Sequence, residues 1–289
     1  MQVPTTSFQV LTLAELAKTT THIENIAGGG HAMVFKVERA GQVFALRLDG
    51  RPTPDDQMEP VEAVYRGLKV LHERSPHVIR IDAVFWVSRR NVPFREDPHR
   101  NASAFGYFND RLPEKWMHNP YEGDPNVSTE YHEASLMPVA KGTLSERVIA
   151  GMYGDVEKKV AWLFYRMQSS ISNMMARQAG LFPNDFKINN RVYFPTESET
   201  FQGRSLSKCR YWCYCLGTLE IYIPIGPYHW RAVDFDQWRY DSPEKPSQDL
   251  LLRHMKSNAS LSSFDMDEAK KILSKPKDVS DEHILTVQL

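Results

Sequence analysis

Between Gly180 and Phe194 the chain reads Gly-Leu-Phe-Pro-Asn-Asp-Phe-Lys-Ile-Asn-Asn-Arg-Val-Tyr-Phe. A helical pattern stops at the glycine and a short apolar run, Val192–Phe194, follows. Between them stand Asp185, Lys187 and Asn190 at the spacing D-x-K-x-x-N. Further along, Ala232-Val233-Asp234-Phe235-Asp236 is an apolar run that ends on a second isolated acid. One carboxylate to orient a hydroxyl, an amide and a carboxylate to hold a metal, and a lysine to meet phosphate are the parts of a phosphoryl-transfer site. Asp185 and Asn190 are also ordinary turn residues, so their meaning depends on what accompanies them.

Upstream, residues 1–22 carry a short apolar-periodic piece (Leu11, Leu13, Leu16) that reads as a leading helix or an extra strand. From Ile23 the pattern is strand, glycine turn, strand, turn, strand: Gly28, Gly29 and Gly30 sit between apolar runs, and Gly41-Gln42 turns the chain into Val43–Leu48. Asp55–Arg74 has Val61, Val64, Leu68 and Leu71 at helical spacing, with Pro60 taken as a first-turn proline. His77–Val87 reads as two further strands of the same sheet. Residues 88–130 hold Pro93, Pro98, Pro113, Pro120 and Pro125 among polar residues, and read as a long irregular insertion. Tyr131–Val139 returns to strand, and Ala140–Leu144 turns into a helix.

Asp155 is expected to cap a helix that runs to about Gln178. Its stripe of Val156, Val160, Leu163, Met167, Ile171 and Met174 is core packing at helical period. Residues 195–229 read as an expanded hairpin with two extended strands. Within it Cys209, Cys213 and Cys215 lack the paired spacing of a four-ligand zinc site. His229 offers a fourth ligand, but buried free thiols are the simpler reading. Phe264–Leu273 predicts one more helix, and residues 274–289 read as a polar, loosely held tail.

At 289 residues, 42% hydrophobic and 25% charged, the chain has the composition of a globular protein of one two-lobed domain or two small ones. A net charge of −1 gives no electrostatic case for nucleic acid or an anionic membrane as partner. No run approaches the roughly 20 apolar residues that span a bilayer. The first residues lack a basic flank before an apolar core, and three clustered cysteines make no disulfide framework. The expected location is therefore intracellular and cytoplasmic, and the Asn-x-Ser sequons at Asn101, Asn126 and Asn258 are read as coincidental.

In order and spacing these pieces resemble the protein-kinase-like family. The resemblance implies an α+β, bilobal fold with an antiparallel-sheet N-lobe over residues 1–139 and a reduced, mainly helical C-lobe over 140–289. It implies ATP and Mg²⁺ as cofactors and a protein as substrate. Asp185 matches the family's catalytic carboxylate, Lys187 the lysine that neutralises the transferred phosphoryl, and Asn190 and Asp234 the magnesium ligands. The glycine cluster Gly28, Gly29, Gly30 with Val34 stands for the phosphate-covering loop; Ala45 and Arg47 fall in the place of V-A-I-K. Glu62, with Glu59 as runner-up, is the glutamate expected to pair the phosphate-gripping residue. Lys36 on the preceding strand is a conceivable substitute there, though it reads better as a solvated strand residue. Met137 and Val139 correspond to the hinge beside the adenine, and Asp249 to the aspartate that braces the loop.

The departures are specific. Arg47 replaces a lysine, and its planar fork is not equivalent to an ammonium. The family's H-R-D is Pro183-Asn184-Asp185, so no arginine awaits a phosphorylated activation loop. Ser242-Pro243-Glu244 follows Asp236 almost at once, where a longer segment ending in A-P-E is the family pattern. A tyrosine-rich strand, an Ile-Tyr-Ile-Pro strand and then Asp-Phe-Asp are similar to small kinases of large DNA viruses. The expectation is a minimal serine/threonine kinase. The alternative is a pseudokinase serving as an interaction or nucleotide-binding module, with a small-molecule phosphotransferase behind it. Oligomeric state is not legible.

Overall fold

Strand alternation decides the first half of the molecule. The structure, a computed structural model, describes residues 8–12, 15–16, 19–28, 32–49, 53–90, 129–235, 237–245 and 266–289. Its elements are mixed α and β, and the chain divides into two compact units: Met1–Tyr65 with Arg80–Val139, and Arg66–Ile79 with Ala140–Leu289. Among the described residues no helix is long and apolar enough to cross a membrane.

The first unit holds β1 (Gln9–Thr12), β2 (Thr21–Gly28), β3 (Ala32–Arg39), β4 (Gln42–Asp49), the start of α1 (Asp55–Arg74), β5 (Ala83–Arg90) and β6 (Thr129–Met137). The strands form one sheet in the order β1-β5-β6-β4-β3-β2, antiparallel except where β1 runs parallel to β5. Ala40 and Gly41, both at positive φ, close the tight β3–β4 hairpin. Phe35, Leu46, Leu48 and Leu136 lie on one face and pack with Leu11, Phe85 and Val87. The N-terminal apolar piece makes an extra strand at Gln9–Thr12, and residues 15–16, which carry Leu16, are helical; residues 13–14 and 17–18 lie outside the described residues.

On the other face Met58 of α1 packs with Trp86 and Tyr131. α1 keeps the expected bounds, but Pro60 lies inside it rather than in its first turn, where it removes the donor for a preceding carbonyl. His77–Val87 is not two strands of this sheet. Only Ala83–Arg90 joins it, while Val78 makes an isolated bridge to Ala232 in the second unit. Of the expected insertion, residues 91–128 lie outside the described residues.

The second unit continues with β7 (Gly142–Thr143), α2 (Glu146–Met152), α3 (Lys158–Gln178), β8 (Leu181–Pro183), β9 (Arg191–Pro195), β10 (Thr200–Phe201), β11 (Arg204–Ser205), β12 (Tyr211–Leu216), β13 (Leu219–Pro224), β14 (Tyr228–Ala232), β15 (Trp238–Tyr240), α4 (Met266–Ile272) and β16 (Ile284–Gln288). Among the described residues it is built of strands as much as helices, against the expectation of a mainly helical lobe. Its ladders are β13-β12-β16, β14-β9-β7, β15-β8 and β10-β11. The tail is not loosely held: β16 runs parallel to β12 and buries Leu285 and Val287. α3 is capped at Glu157 without a side-chain bond, so Asp155 is not its cap. A separate α2 precedes it, whose cap Ser145 accepts from the Val148 amide.

A chain of buried hydrogen bonds runs through the core of this unit. His77 Nδ1 lies 3.2 Å from the Trp230 carbonyl, so Nδ1 carries the proton and Nε2 accepts from the Tyr214 hydroxyl at 2.7 Å. Tyr214 in turn accepts from Gln168 Nε2, and Gln168 Oε1 accepts from Tyr153 and from the Trp230 indole. Each donor in this chain meets one acceptor, which is what makes such a network tolerable in a core.

Candidate active site

The expected catalytic loop is held between two ladders. α3 stops at Gly180, whose φ of +76° belongs to the left-handed region; a Cβ there would lie 2.5 Å from the Asp241 carbonyl. The chain then runs through β8, leaves it at Pro183, crosses residues 184–190 and enters β9 at Arg191. The facing chain leaves β14 at Ala232 and enters β15 at Trp238. β8 pairs with β15 and β9 pairs with β14, so the two short loops are fastened side by side at both ends. The Val233 amide donates to the Asn190 carbonyl at 2.9 Å, which closes the gap one residue before Asp234. Asp185, Lys187 and Asn190 thus share one loop, and Asp234 directly follows the residue bonded to Asn190.

Within the loop, Asn190 Nδ2 donates to the Asp185 carbonyl and to Asp185 Oδ2, each at 3.0 Å. Lys187 Nζ stands 2.6 Å from the same Oδ2. The Lys187 ammonium, with help from Asn190, holds the Asp185 carboxyl below its ordinary range against the opposing effect of burial. Asp185 is thus an ionised acceptor, fit to orient a hydroxyl more than to store a proton. Asn190 spends its N–H groups on Asp185, which leaves Oδ1 as the side-chain atom a cation can use. Asp234 has φ +68°, an uncommon backbone state for a residue with a side chain; such states concentrate at functional sites. The oxygens of Asn190 and Asp234 are hard ligands and fit Mg²⁺.

Arg191 is the residue that sequence reasoning passed over. It is buried, donating to the Tyr165 hydroxyl, to Ser169 Oγ at 2.7 Å and to the Phe186 carbonyl at 3.1 Å. Its guanidinium lies 4.4 Å from the centre of the Phe186 ring and 4.7 Å from that of Trp230. Burial lowers it to about 9, so it remains charged at neutral pH. One side chain therefore ties α3 to the backbone between Asp185 and Lys187. The only sequence signal is an arginine directly before an apolar strand, and nothing in that signal says it points inward.

The residues expected on the nucleotide side fall in the first unit. Val34 faces Arg47 across β3–β4, and Ala45 faces Met137 across β4–β6. Because Ala45 and Arg47 are two apart on one strand, all four share the face opposite the Leu46–Leu136 core. Gly28 ends β2 opposite Met33, and Val139 is half-buried in the coil after β6. Gly29, Gly30 and Asp249 lie outside the described residues. Lys36 is half exposed with its Nζ 4.0 Å from Glu24, as the solvated-strand reading has it.

Arg47 is buried, with Nη1 on Glu133 Oε1 at 3.0 Å and Nη2 on Asp49 Oδ2 at 3.4 Å. Tyr65 of α1 also donates to that Glu133 oxygen. Burial first, and Glu133 second, push the Tyr65 hydroxyl well above its ordinary range. Glu62, expected on Arg47, accepts from the Trp86 indole at 2.9 Å and the Phe8 amide at 3.2 Å. Glu133 was not singled out from the sequence. Its position opposite Trp86 and two residues before Ser135, the partner of Arg47, follows only from β6 register.

The three cysteines carry no disulfide. His229 donates Nε2–H to the Pro76 carbonyl at 2.7 Å inside the core, and Cys209 sits at the Ser205 carbonyl. The four-ligand set Cys209, Cys213, Cys215 and His229 is therefore not gathered. No protein-family model matches the chain, and no curated protein matches it.

Proposed function

We propose that the chain is a minimal serine/threonine protein kinase, which transfers the γ-phosphoryl of ATP to a protein hydroxyl with Mg²⁺. The observation that carries the reading is the bond between Val233 and Asn190 within paired ladders. It sets Asp234 beside a loop in which Asp185, Lys187 and Asn190 are already joined by hydrogen bonds. In this reading Asp185 orients the acceptor hydroxyl, and Lys187 offsets charge growing on the phosphoryl oxygens. Asn190 and Asp234 would hold Mg²⁺, which supplies neutralisation of the triphosphate. Val34, Ala45, Met137 and Val139 would line the nucleotide side, and Arg47 would meet the phosphates.

A second reading, a pseudokinase that binds nucleotide or partner proteins without turnover, is favoured by one observation. The Arg47 guanidinium is already engaged by two carboxylates, Glu133 and Asp49, so its charge toward phosphate is largely neutralised. Incubation with labelled ATP, Mg²⁺ and a generic acceptor protein separates the two. The kinase reading expects incorporation by the wild type that Asp185→Asn and Asp234→Ala both abolish. Incorporation that survives in both variants contradicts the site. A melting temperature raised by ATP and Mg²⁺ with no incorporation is the pseudokinase outcome.

A further inference from the structure

The β13-β12-β16 sheet packs one face into the main core of the unit, and its other face carries a smaller cluster in which Cys213, Tyr222 and Ile284 are buried. Trp212, Tyr214 and Leu216 of β12, Ile221 and Ile223 of β13, and Leu285 and Val287 of β16 fill the buried side. The alternate residues of β12 point outward, and the ladder fixes their neighbours: Cys213 stands opposite Tyr222, and Cys215 opposite Glu220. Residues opposite in a ladder share a face, so two thiols and a carboxylate are carried by the register onto one patch. Cys213 is buried, Cys215 half-buried and Glu220 exposed, so solvent reaches the patch from the Glu220 side.

The distances are compatible with three ligands of one ion. The Cys213 and Cys215 sulfurs are 3.5 Å apart, and with a Glu220 oxygen all three donor atoms lie within 4.8 Å of one another. Two thiolates bound at about 2.3 Å at a tetrahedral angle stand about 3.8 Å apart, so the sulfurs are already near the bite of one ion. The Tyr222 hydroxyl donates to Glu220 Oε2 at 2.7 Å and orients the carboxylate, the kind of outer contact that metal sites use. Lys275 lies within electrostatic reach of Glu220 and Cys213 and is itself paired with Asp281 at 2.9 Å. A dication held by two thiolates and a carboxylate has a net charge of −1, which that ammonium offsets.

We propose that Cys213, Cys215 and Glu220 form a binding site for a thiophilic divalent cation of the zinc type, with the remaining coordination position left to solvent. Binding forms two metal–sulfur bonds and releases the two S–H protons to solvent, while the carboxylate joins without a proton change. The site is separate from the Asp185–Asp234 loops and requires no phosphoryl transfer.

The test uses the full chain, reduced and freed of metal, titrated with Co²⁺ and followed by its thiolate-to-metal charge-transfer absorption. The expected result is saturation at one equivalent, displacement by Zn²⁺, loss of the band in Cys213→Ser and in Cys215→Ser, and its retention in Cys209→Ser. Glu220→Gln, at an exposed position that leaves the fold alone, is expected to weaken binding about tenfold or more, as ligand-shell changes do. Should Cys213→Ser fail to fold, Cys215→Ser and Glu220→Gln decide the matter, with Zn²⁺ raising the melting temperature of the wild type and not of Cys215→Ser. A wild type with reduced thiols that gives no such band overturns the proposal. So does a band that persists in Cys215→Ser, or Co²⁺ affinity unchanged in Glu220→Gln.

Discussion

His77 and His229 make acid a specific stress on the second unit. Burial, and for His77 the neighbouring His229, hold both imidazoles well below their ordinary range, His229 down to about 3. His77 has no room for a second proton, since Nε2 already receives the Tyr214 hydroxyl hydrogen. The unfolded chain takes up protons near pH 6.5 and the folded one does not. Stability is therefore complete above about pH 6.5 and is lost as pH falls toward the folded values, by at most about 1.4 kcal/mol per pH unit for each histidine. Urea midpoints between about pH 7 and about pH 5 should fall accordingly. His229→Gln keeps an N–H for Pro76 and should flatten the slope; a midpoint indifferent to pH would contradict the assignment. Arg191 carries a different prediction. Arg191→Lys keeps the charge but loses the fork that spans Ser169 and the Phe186 carbonyl. It should cost roughly 2–3 kcal/mol in denaturant unfolding and speed amide exchange across residues 184–190. Unchanged exchange there would show that Arg191 does not position the loop.

At the scale of elements, close approach fixes what the segments tolerate. Gly226, between β13 and β14, has backbone against it: a Cβ there would lie 2.0 Å from the Met152 carbonyl oxygen and 2.6 Å from the Tyr153 Cα. Neither is the far end of a flexible side chain, so the end of α2 must move. Gly226→Ala is expected to destabilise by about 3 kcal/mol or more, read as a lowered denaturation midpoint, whereas Gly203→Ala meets nothing within 4 Å and suffers only its positive φ. Equal effects from the two would refute the clash. Elements with strong local periodicity were legible in the sequence: β2 to β4, α1, most of α3, the β12–β13 pair and α4. Those that depend on distant partners were not. Val78 and Ile79 look like strand, but their partner is Ala232, not the β5 sheet. Ile284–Gln288 looks like a polar tail because its apolar side is visible only against β12, more than sixty residues earlier.

For the whole molecule, the candidate site was legible only as far as spacing reaches. Asp185, Lys187 and Asn190 lie within one loop, and their mutual bonds follow from that short span. That Asp234 joins them depends on two ladders, β8–β15 and β9–β14, which no local pattern announces. The residues around Arg47 show the opposite case. Its carboxylate Glu133 arrives by sheet register, while the helix glutamate Glu62 is engaged by Trp86 and Phe8. In the proposed kinase, Asn190 and Asp234 meet one metal-bound triphosphate beside Asp185. Paramagnetic broadening by Mn²⁺ with ATP, followed on assigned amide resonances of the full chain, tests it most directly. Broadening is expected to centre on the Asn190 side-chain amide and the Asp234 backbone, to depend on ATP and to be absent in Asp234→Ala. Broadening confined to the Cys213–Glu220 patch, or none near residues 184–190 at saturating nucleotide, would contradict it.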